Sequence, residues 1–170
     1  MKIAIIGNAG SGKSTLGFKL QKKLGITLYH LDQYDWKANW QHVEMKKFEK
    51  IHKDLCDRDT WIIEGQAMEQ LNYRIVKADV IIFLDIAIAT CLWRVIKRAI
   101  FNWGKVVPGR PKGCRERLFS FKFFEFLQRV WTFNKSSREQ ILLMLDGVRN
   151  KKRVYVVRTQ KEIDAVIALL

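Results

Sequence analysis

Ile3-Ala4-Ile5-Ile6 runs directly into Gly7-Asn8-Ala9-Gly10-Ser11-Gly12-Lys13-Ser14-Thr15. The apolar run reads as a short strand buried on both faces. Leu16, Leu20 and Leu24 then recur at helical spacing, and Gly25 closes that helix. Strand, loop and helix together complete the pattern Gly-x4-Gly-Lys-Ser of a phosphate-binding loop. Glycines let the backbone curl so that several N–H groups converge on phosphate oxygens. The helix N-terminus adds its partial positive charge. Lys13 supplies a mobile cation for the β- and γ-phosphates, and Ser14 sets a hydroxyl on Mg²⁺ with Thr15 behind it. Gly7, Asn8, Ala9, Gly10, Ser11, Gly12, Lys13, Ser14 and Thr15 are therefore the predicted nucleotide cradle, with ATP and Mg²⁺ as its ligands. A glycine-rich turn matching by accident would not need the flanking strand and helix, and both are present.

Further strands are predicted at 26–31, 61–63, 80–84 and 154–157, with helices at 41–57, 87–100, 136–148 and 162–170. Strands alternating with helices predict an α/β fold, a parallel sheet covered on both faces. Ligands of such sheets bind at the carboxyl ends of the strands. Residues 101–135 break the pattern, with Pro108, Pro111 and a crowd of phenylalanines (Phe119, Phe121, Phe123, Phe124, Phe126). This cluster, with Trp131, reads as core for a helical insertion, against a dimer surface or a base-stacking platform.

The chain has 170 residues, 48% of them hydrophobic, the size and content of one domain with a packed core. Its 31 Lys and Arg against 17 Asp and Glu leave +14, which predicts anionic partners. Cys56, Cys91 and Cys114 are widely spaced and lack zinc or disulfide spacing, which predicts reduced thiols. No run has the length of a signal-peptide core or a membrane span. The expectation is a cytoplasmic protein with no membrane partner.

The matching pieces, in order, resemble a known family. They are GNAGSGKST, Leu31-Asp32-x3-Trp36, Trp61-Ile62-Ile63-Glu64-Gly65, Phe83-Leu84-Asp85, Cys91-Leu92-Trp93-Arg94-x3-Arg98, Gly113-Cys114, Ser137-Arg138 and Val157-Arg158. Together they resemble the P-loop nucleotide-kinase branch, the adenylate kinase and shikimate kinase relatives. The likeness is greatest to the small proteins named DNA topology modulation proteins. The resemblance implies one three-layer P-loop kinase domain over 1–170, its five-stranded parallel sheet in order 2-3-1-4-5, with a mobile basic lid inserted at about 101–135.

Beside the loop, Asp32 follows strand two, where a carboxylate can orient an acceptor hydroxyl in line with the γ-phosphate. An exposed aspartate capping the next helix is the other reading, and Asp35 is a second candidate. Trp36 and Trp40 either stack on an acceptor ring or anchor the loop. Glu64 and Asp85 end strands three and four and are candidates for the outer metal shell, or turn formers. The resembling adenylate kinases carry Asp-Gly where Glu64-Gly65 stands, its carboxylate holding Mg²⁺ through water. Their arginine pair at the lid's start corresponds to Arg94 and Arg98, one reaching the adenine and the other the phosphates. Arg94 and Arg98 share a helix face, and a solvated basic face is the competing reading. Arg138 resembles the post-lid arginine that stabilises charge on the transferring group. Arg158-Thr159-Gln160 stands where relatives wrap the adenine.

Between Arg94 and Arg138, twelve basic residues (Arg94, Lys97, Arg98, Lys105, Arg110, Lys112, Arg115, Arg117, Lys122, Arg129, Lys135, Arg138) meet only Glu116 and Glu125. The positive charge is thus concentrated where a lid would close. A GTPase is disfavoured, because Asn134-Lys135-Ser136-Ser137 lacks the aspartate of a base-reading NKxD segment. The expected activity is an ATP- and Mg²⁺-dependent phosphotransferase, with Lys13, Asp32, Arg98 and Arg138 as catalytic residues. Ser14, Glu64 and Asp85 serve the metal, and Arg94 serves the nucleotide. No arginine lies beside Asp32, which tilts the acceptor toward a small alcohol or nucleoside. The alternative is a nucleotide-gated nucleic-acid-binding protein, with stacking aromatics between the same cations.

Overall fold

A computed structural model of the chain describes residues 1–37, 41–103 and 120–170. The chain forms β1 (Lys2–Gly7), α1 (Lys13–Leu24), β2 (Leu28–His30), α2 (Asp32–Asp35), β3 (Trp36–Lys37), β4 (Gln41–His42), α3 (Met45–Cys56) and β5 (Trp61–Glu64). It continues through α4 (Leu71–Lys77), β6 (Val80–Leu84), α5 (Ile88–Phe101), α6 (Phe121–Phe133), α7 (Glu139–Asp146), β7 (Arg153–Val157) and α8 (Gln160–Leu169). A five-stranded parallel sheet runs β2-β5-β1-β6-β7. The sequence reading placed no strands between 31 and 61. The short antiparallel hairpin β3–β4 lies there, and its two strands separate this numbering from the expected 2-3-1-4-5.

Strand β1 sits at the centre because it is apolar on both faces. Ile3 and Ile5 pack with Leu16 and Leu20 of α1 and with Ile163 and Val166 of α8. Ala4 and Ile6 point the other way, into Phe48 and Leu55 of α3, Leu71 and Ile75 of α4, and Ile141 and Leu145 of α7. Alternation along one strand therefore supplies two cores, and helices close both. A smaller cluster, Cys91, Val95 and Val130, joins α5 to α6 with Phe123, Phe126 and Leu127 packed on it.

Two expectations for the insertion need correction. Of the aromatic crowd, Phe123 and Phe126 are packed inward, whereas Phe121, Phe124 and Trp131 are 79%, 57% and 65% exposed. The 3.6-residue period splits a dense aromatic run between both faces of one helix. The helix expected from 136 is the end of a longer helical run that begins at Phe121 and crosses a π turn at Asn134–Arg138 before α7. Phe119, Trp40 and the basic residues from Lys105 to Arg117 lie outside the described residues, as do Gly113 and Cys114. Among the described residues, no helix is long and apolar enough to cross a membrane.

Behind the sheet, α3 and α4 enclose ionisable groups. His52 and Arg74 are fully buried. Burial, helped by the Arg74 charge, pulls the His52 imidazole down to about 4. Burial also pushes the Cys56 thiol up to about 11, which keeps it protonated and inert. Between pH 6.5 and 4 the unfolded chain takes up a proton at His52 that the folded chain refuses, so stability falls as pH falls through that window. Over its full width this amounts to about 3 kcal/mol. We predict that His52→Leu flattens the decline of the denaturation midpoint between those limits, measured by urea titration at a series of pH values. An unchanged slope would exclude His52 as its source.

Candidate nucleotide and phosphoryl-transfer site

The loop between β1 and α1 is built from backbone that only glycine adopts freely. Gly12, at the helix N-cap, has φ 104°, and Gly10 has φ 80°. A Cβ on Gly10 would collide with the Cys91 carbonyl of α5. The loop therefore lies directly on the first turn of α5. Asn8, itself buried, donates from Nδ2 to the Val130 carbonyl of α6 at 2.9 Å and accepts from the Ala9 N–H at 2.8 Å. Arg94 donates from Nη1 to the Ser11 carbonyl at 3.2 Å. The cradle is thus braced from outside by both helices that flank the expected lid.

Lys13 folds back over the loop and donates from Nζ to the Gly7 and Asn8 carbonyls at 3.0 and 2.9 Å. Ser14 donates from Oγ to Glu64 Oε1 at 2.9 Å. Glu64 ends β5 in register with His30, the end of β2. His30 Nδ1 lies 2.6 Å from the same Oε1, both side chains being 8% exposed. Burial alone would raise the Glu64 carboxyl. The hydrogen bond to His30, the Lys13 charge and the Ser14 hydroxyl outweigh it and hold the group below its ordinary value. Glu64 is therefore an ionised, buried acceptor directly under the serine of the loop.

Asp85 follows β6 on the other side of β1, and its surroundings differ. Arg138 holds it bidentately, Nε to Oδ1 at 2.7 Å and Nη2 to Oδ2 at 2.9 Å, and Arg158 adds Nε to Oδ2 at 3.0 Å. The Arg138 hydrogen bond, with Arg158 behind it, keeps the Asp85 carboxyl below its ordinary range against partial burial. The π turn delivers Arg138 to this position and turns its neighbour Ser137 inward, where Gln66 Nε2 donates to it at 3.2 Å. Such turns are frequent at functional sites.

Asp32 starts α2 and is exposed. Asp35 meets His42 Nδ1 at 3.2 Å, and the Trp36 ring packs on His42 with centroids 3.7 Å apart. Trp36 is thus an anchor of the β3–β4 hairpin. Arg98 stands one turn beyond Arg94 on α5 and is half-buried. Thr15 is exposed on α1.

Sequence reasoning assigned no role to His30, Gln66 or Arg74. Arg74 stands in α4, far along the chain from Asp32. Its Nη2 donates to the Gly65 and Gln66 carbonyls at 2.9 and 3.0 Å, and among the described residues Nε and Nη1 have no hydrogen-bond partner. Burial draws the Arg74 guanidinium down to about 10, opposed by Cys56 and Glu64, so it is charged at neutral pH. It fixes a strained turn, in which Gly65 has φ 145° and Ala67 has φ 33°. The one signal available was a cation inside the otherwise apolar spacing of Leu71, Ile75 and Val76.

As to metal, Ser14 and Glu64 offer hard oxygens suited to Mg²⁺. Among the described residues no three His, Cys, Asp or Glu side chains gather into a cage.

No family model and no curated protein matches the sequence. Solved structures do match across nearly the whole chain. A shikimate kinase from Aquifex aeolicus is 18% identical, with a TM-score of 0.53, over 99% of this chain and 92% of that one. A gluconokinase from Sinorhizobium meliloti 1021 is 16% identical, with a TM-score of 0.54, over 99% and 91%. A deoxyadenosine kinase from M. mycoides is 19% identical, with a TM-score of 0.50, over 99% and 96%. These likenesses show the fold, a mixed α/β fold shared with small-molecule and nucleotide kinases.

Because Arg74 carries two carbonyls of the turn that follows Glu64, we predict that Arg74→Ala destabilises the chain by about 3 kcal/mol, from unsatisfied carbonyls and a cavity together. Chemical denaturation measures it, and a change below about 1 kcal/mol would mean that the turn holds itself.

Proposed function

We propose that the protein is an ATP- and Mg²⁺-dependent phosphotransferase acting on a small acceptor. The observation that carries the reading is the Lys13–Ser14–Glu64 constellation. A mobile cation and an oriented hydroxyl stand at a helix N-terminus, above a buried ionised carboxylate. Phosphoryl transfer is mostly positioning and charge stabilisation, and each residue has a part in that. The loop N–H groups and Lys13 bind the phosphates, Lys13 exchanging its loop carbonyls for phosphate oxygens. Ser14 and Glu64 would hold Mg²⁺, which when bound would neutralise charge on the nucleotide phosphates. Asp32 orients the acceptor hydroxyl. Arg98 and Arg138 stabilise charge on the transferring group, and Arg94 serves the nucleotide. Asp85, engaged by two guanidinium groups, positions Arg138 in this reading, which leaves Glu64 as the strand-end acid for the metal. The kinase fold of the shikimate kinase and gluconokinase supports the class, and both of those proteins are named for hydroxyl-bearing acceptors.

A second reading, nucleic-acid binding, is favoured by one observation. Trp93, Phe121 and Trp131 stand more than half exposed on helices that also carry Lys97, Lys122 and Arg129, the mixture that single strands stack on.

The test is ADP release screened across nucleosides, nucleotides and small alcohols. Lys13→Ala should fold normally and lose roughly 10² or more of the turnover. Asp32→Asn should lower acceptor-dependent turnover while ATP affinity stays nearly constant. Arg98→Ala and Arg138→Ala should each cost far more than substitution of Lys97 or Arg129, since catalytic arginines are worth ~10³. Uniform small effects on salt-sensitive, ATP-responsive DNA binding, without turnover on any acceptor, would establish the second reading instead.

A further inference from the structure

We propose that His30 is a positioning residue for the magnesium side of the site: it fixes the Glu64 carboxylate, and Glu64 in turn aims the Ser14 hydroxyl. The inference rests on the phosphotransferase reading as far as Mg²⁺-assisted nucleotide binding, and no further.

The parallel register sets His30 beside Glu64 at the carboxyl ends of β2 and β5. Both converge on a single oxygen, since Glu64 Oε1 receives Ser14 Oγ at 2.9 Å and His30 Nδ1 at 2.6 Å. An ionised carboxylate accepts only, so Nδ1 must carry the proton and donate it. Ser14 must likewise give its hydroxyl proton to Glu64. A serine hydroxyl otherwise rotates freely, and its lone pairs point wherever its proton does not. Committing the proton to Glu64 leaves the lone pairs for a cation over the loop. Glu64 reaches Ser14 from a neighbouring strand through a side chain with three torsions, so its own orientation needs a second contact. His30 supplies that contact from a rigid strand end. Without it, the Ser14 hydroxyl would be the remaining hydrogen-bond donor on Oε1, and a single donor does not fix a carboxylate's rotation.

His30 is not placed to touch a substrate. It is 6% exposed, and its ring lies against Phe18 with centroids 5.1 Å apart. A core histidine with no such role would affect all states of the protein alike. A positioning histidine affects the metal-dependent state selectively.

Two near-isosteric variants separate the cases. The His30→Asn amide donates from about where Nδ1 stood, and that of His30→Gln from about where Nε2 stood. The measurement is calorimetric titration of ADP, with Mg²⁺ and with EDTA, on the full chain. For His30→Gln we expect the gain in ADP affinity on adding Mg²⁺ to shrink by about 10-fold or more, the range for loss of an outer-shell partner. Its affinity in EDTA should remain within about twofold of the parent, and His30→Asn should keep most of the gain. On the unsubstituted protein, the His30 Nδ1 proton should resonate downfield and move when Mg²⁺ is added to the ADP complex. This reading does not depend on either variant folding. A full Mg²⁺ gain in His30→Gln, equal losses with and without Mg²⁺, an Asn variant as impaired as Gln, or an Nδ1 without a proton would each overturn the proposal. So would a parent protein whose ADP affinity ignores Mg²⁺. A parent that shows the Mg²⁺ gain but transfers phosphate to no acceptor would instead sink the phosphotransferase reading and leave this one standing.

Discussion

The close approach of the phosphate loop to the first turn of α5 constrains much of the site. Strand β1 is buried on both faces, so the chain must leave the sheet at Gly7 and turn at once within a space bounded by the Cys91 carbonyl. Only a residue without a side chain fits at Gly10, and only positive φ at Gly12 brings α1 in with its N-terminus over the loop. The same proximity lets Arg94 and Asn8 tie the loop to α5 and α6. Through one backbone contact, the cradle and the base of the expected lid become a single packed unit. A change in either helix is then felt at the loop, because packed interiors transmit displacement.

The charge distribution follows a second logic. The chain is strongly basic, yet two carboxylates sit at the carboxyl edge of its sheet, on either side of β1, Glu64 buried and Asp85 half-buried. Glu64 is satisfied by neutral or titratable donors, Ser14 and His30, with Lys13 nearby. Asp85 is satisfied by two permanent cations. An acid engaged by guanidinium groups has little left to offer a cation, whereas one engaged by a hydroxyl and an imidazole keeps its charge available. The two strand-end acids look alike in sequence, and their partners give them different chemistry.

Those partners also explain what could be read from the sequence. The five strands of the parallel sheet, α1, α3, α5 and α8, and the phosphate loop follow from local rules: apolar runs, helical spacing, glycine at forced turns. The candidate residues at strand ends follow from one further step, that parallel sheets present their ligands there. Glu64 and Asp85 could be named by that rule but not told apart, because Ser14 and His30 in one case, and Arg138 and Arg158 in the other, approach from distant parts of the chain. The β3–β4 hairpin was hidden because two-residue strands carry no periodicity. The split of the phenylalanine cluster was hidden because its density suggests burial, whereas a helix can turn only one face inward. Arg74 was missed because an arginine in a short helix reads as solvated until its helix is docked, and here the guanidinium lies beneath the turn at Gly65 and Gln66.

Glutamate is one methylene longer than aspartate, and at Glu64 the structure gives that extra methylene a use. From the end of β5, the longer side chain spans to Ser14 across the sheet edge and meets His30 on the way, sharing one oxygen between them. Length alone would be a disadvantage, since each added torsion costs conformational entropy when the group must hold one orientation. Burial adds to that cost by disfavouring the charged form. A second donor from an adjacent strand offsets both, stabilising the charge and selecting the rotamer. The longer acid and the histidine one strand away are therefore a matched pair: either alone would leave a buried polar group short of a partner, and together they leave an ionised acceptor fixed beneath the loop serine.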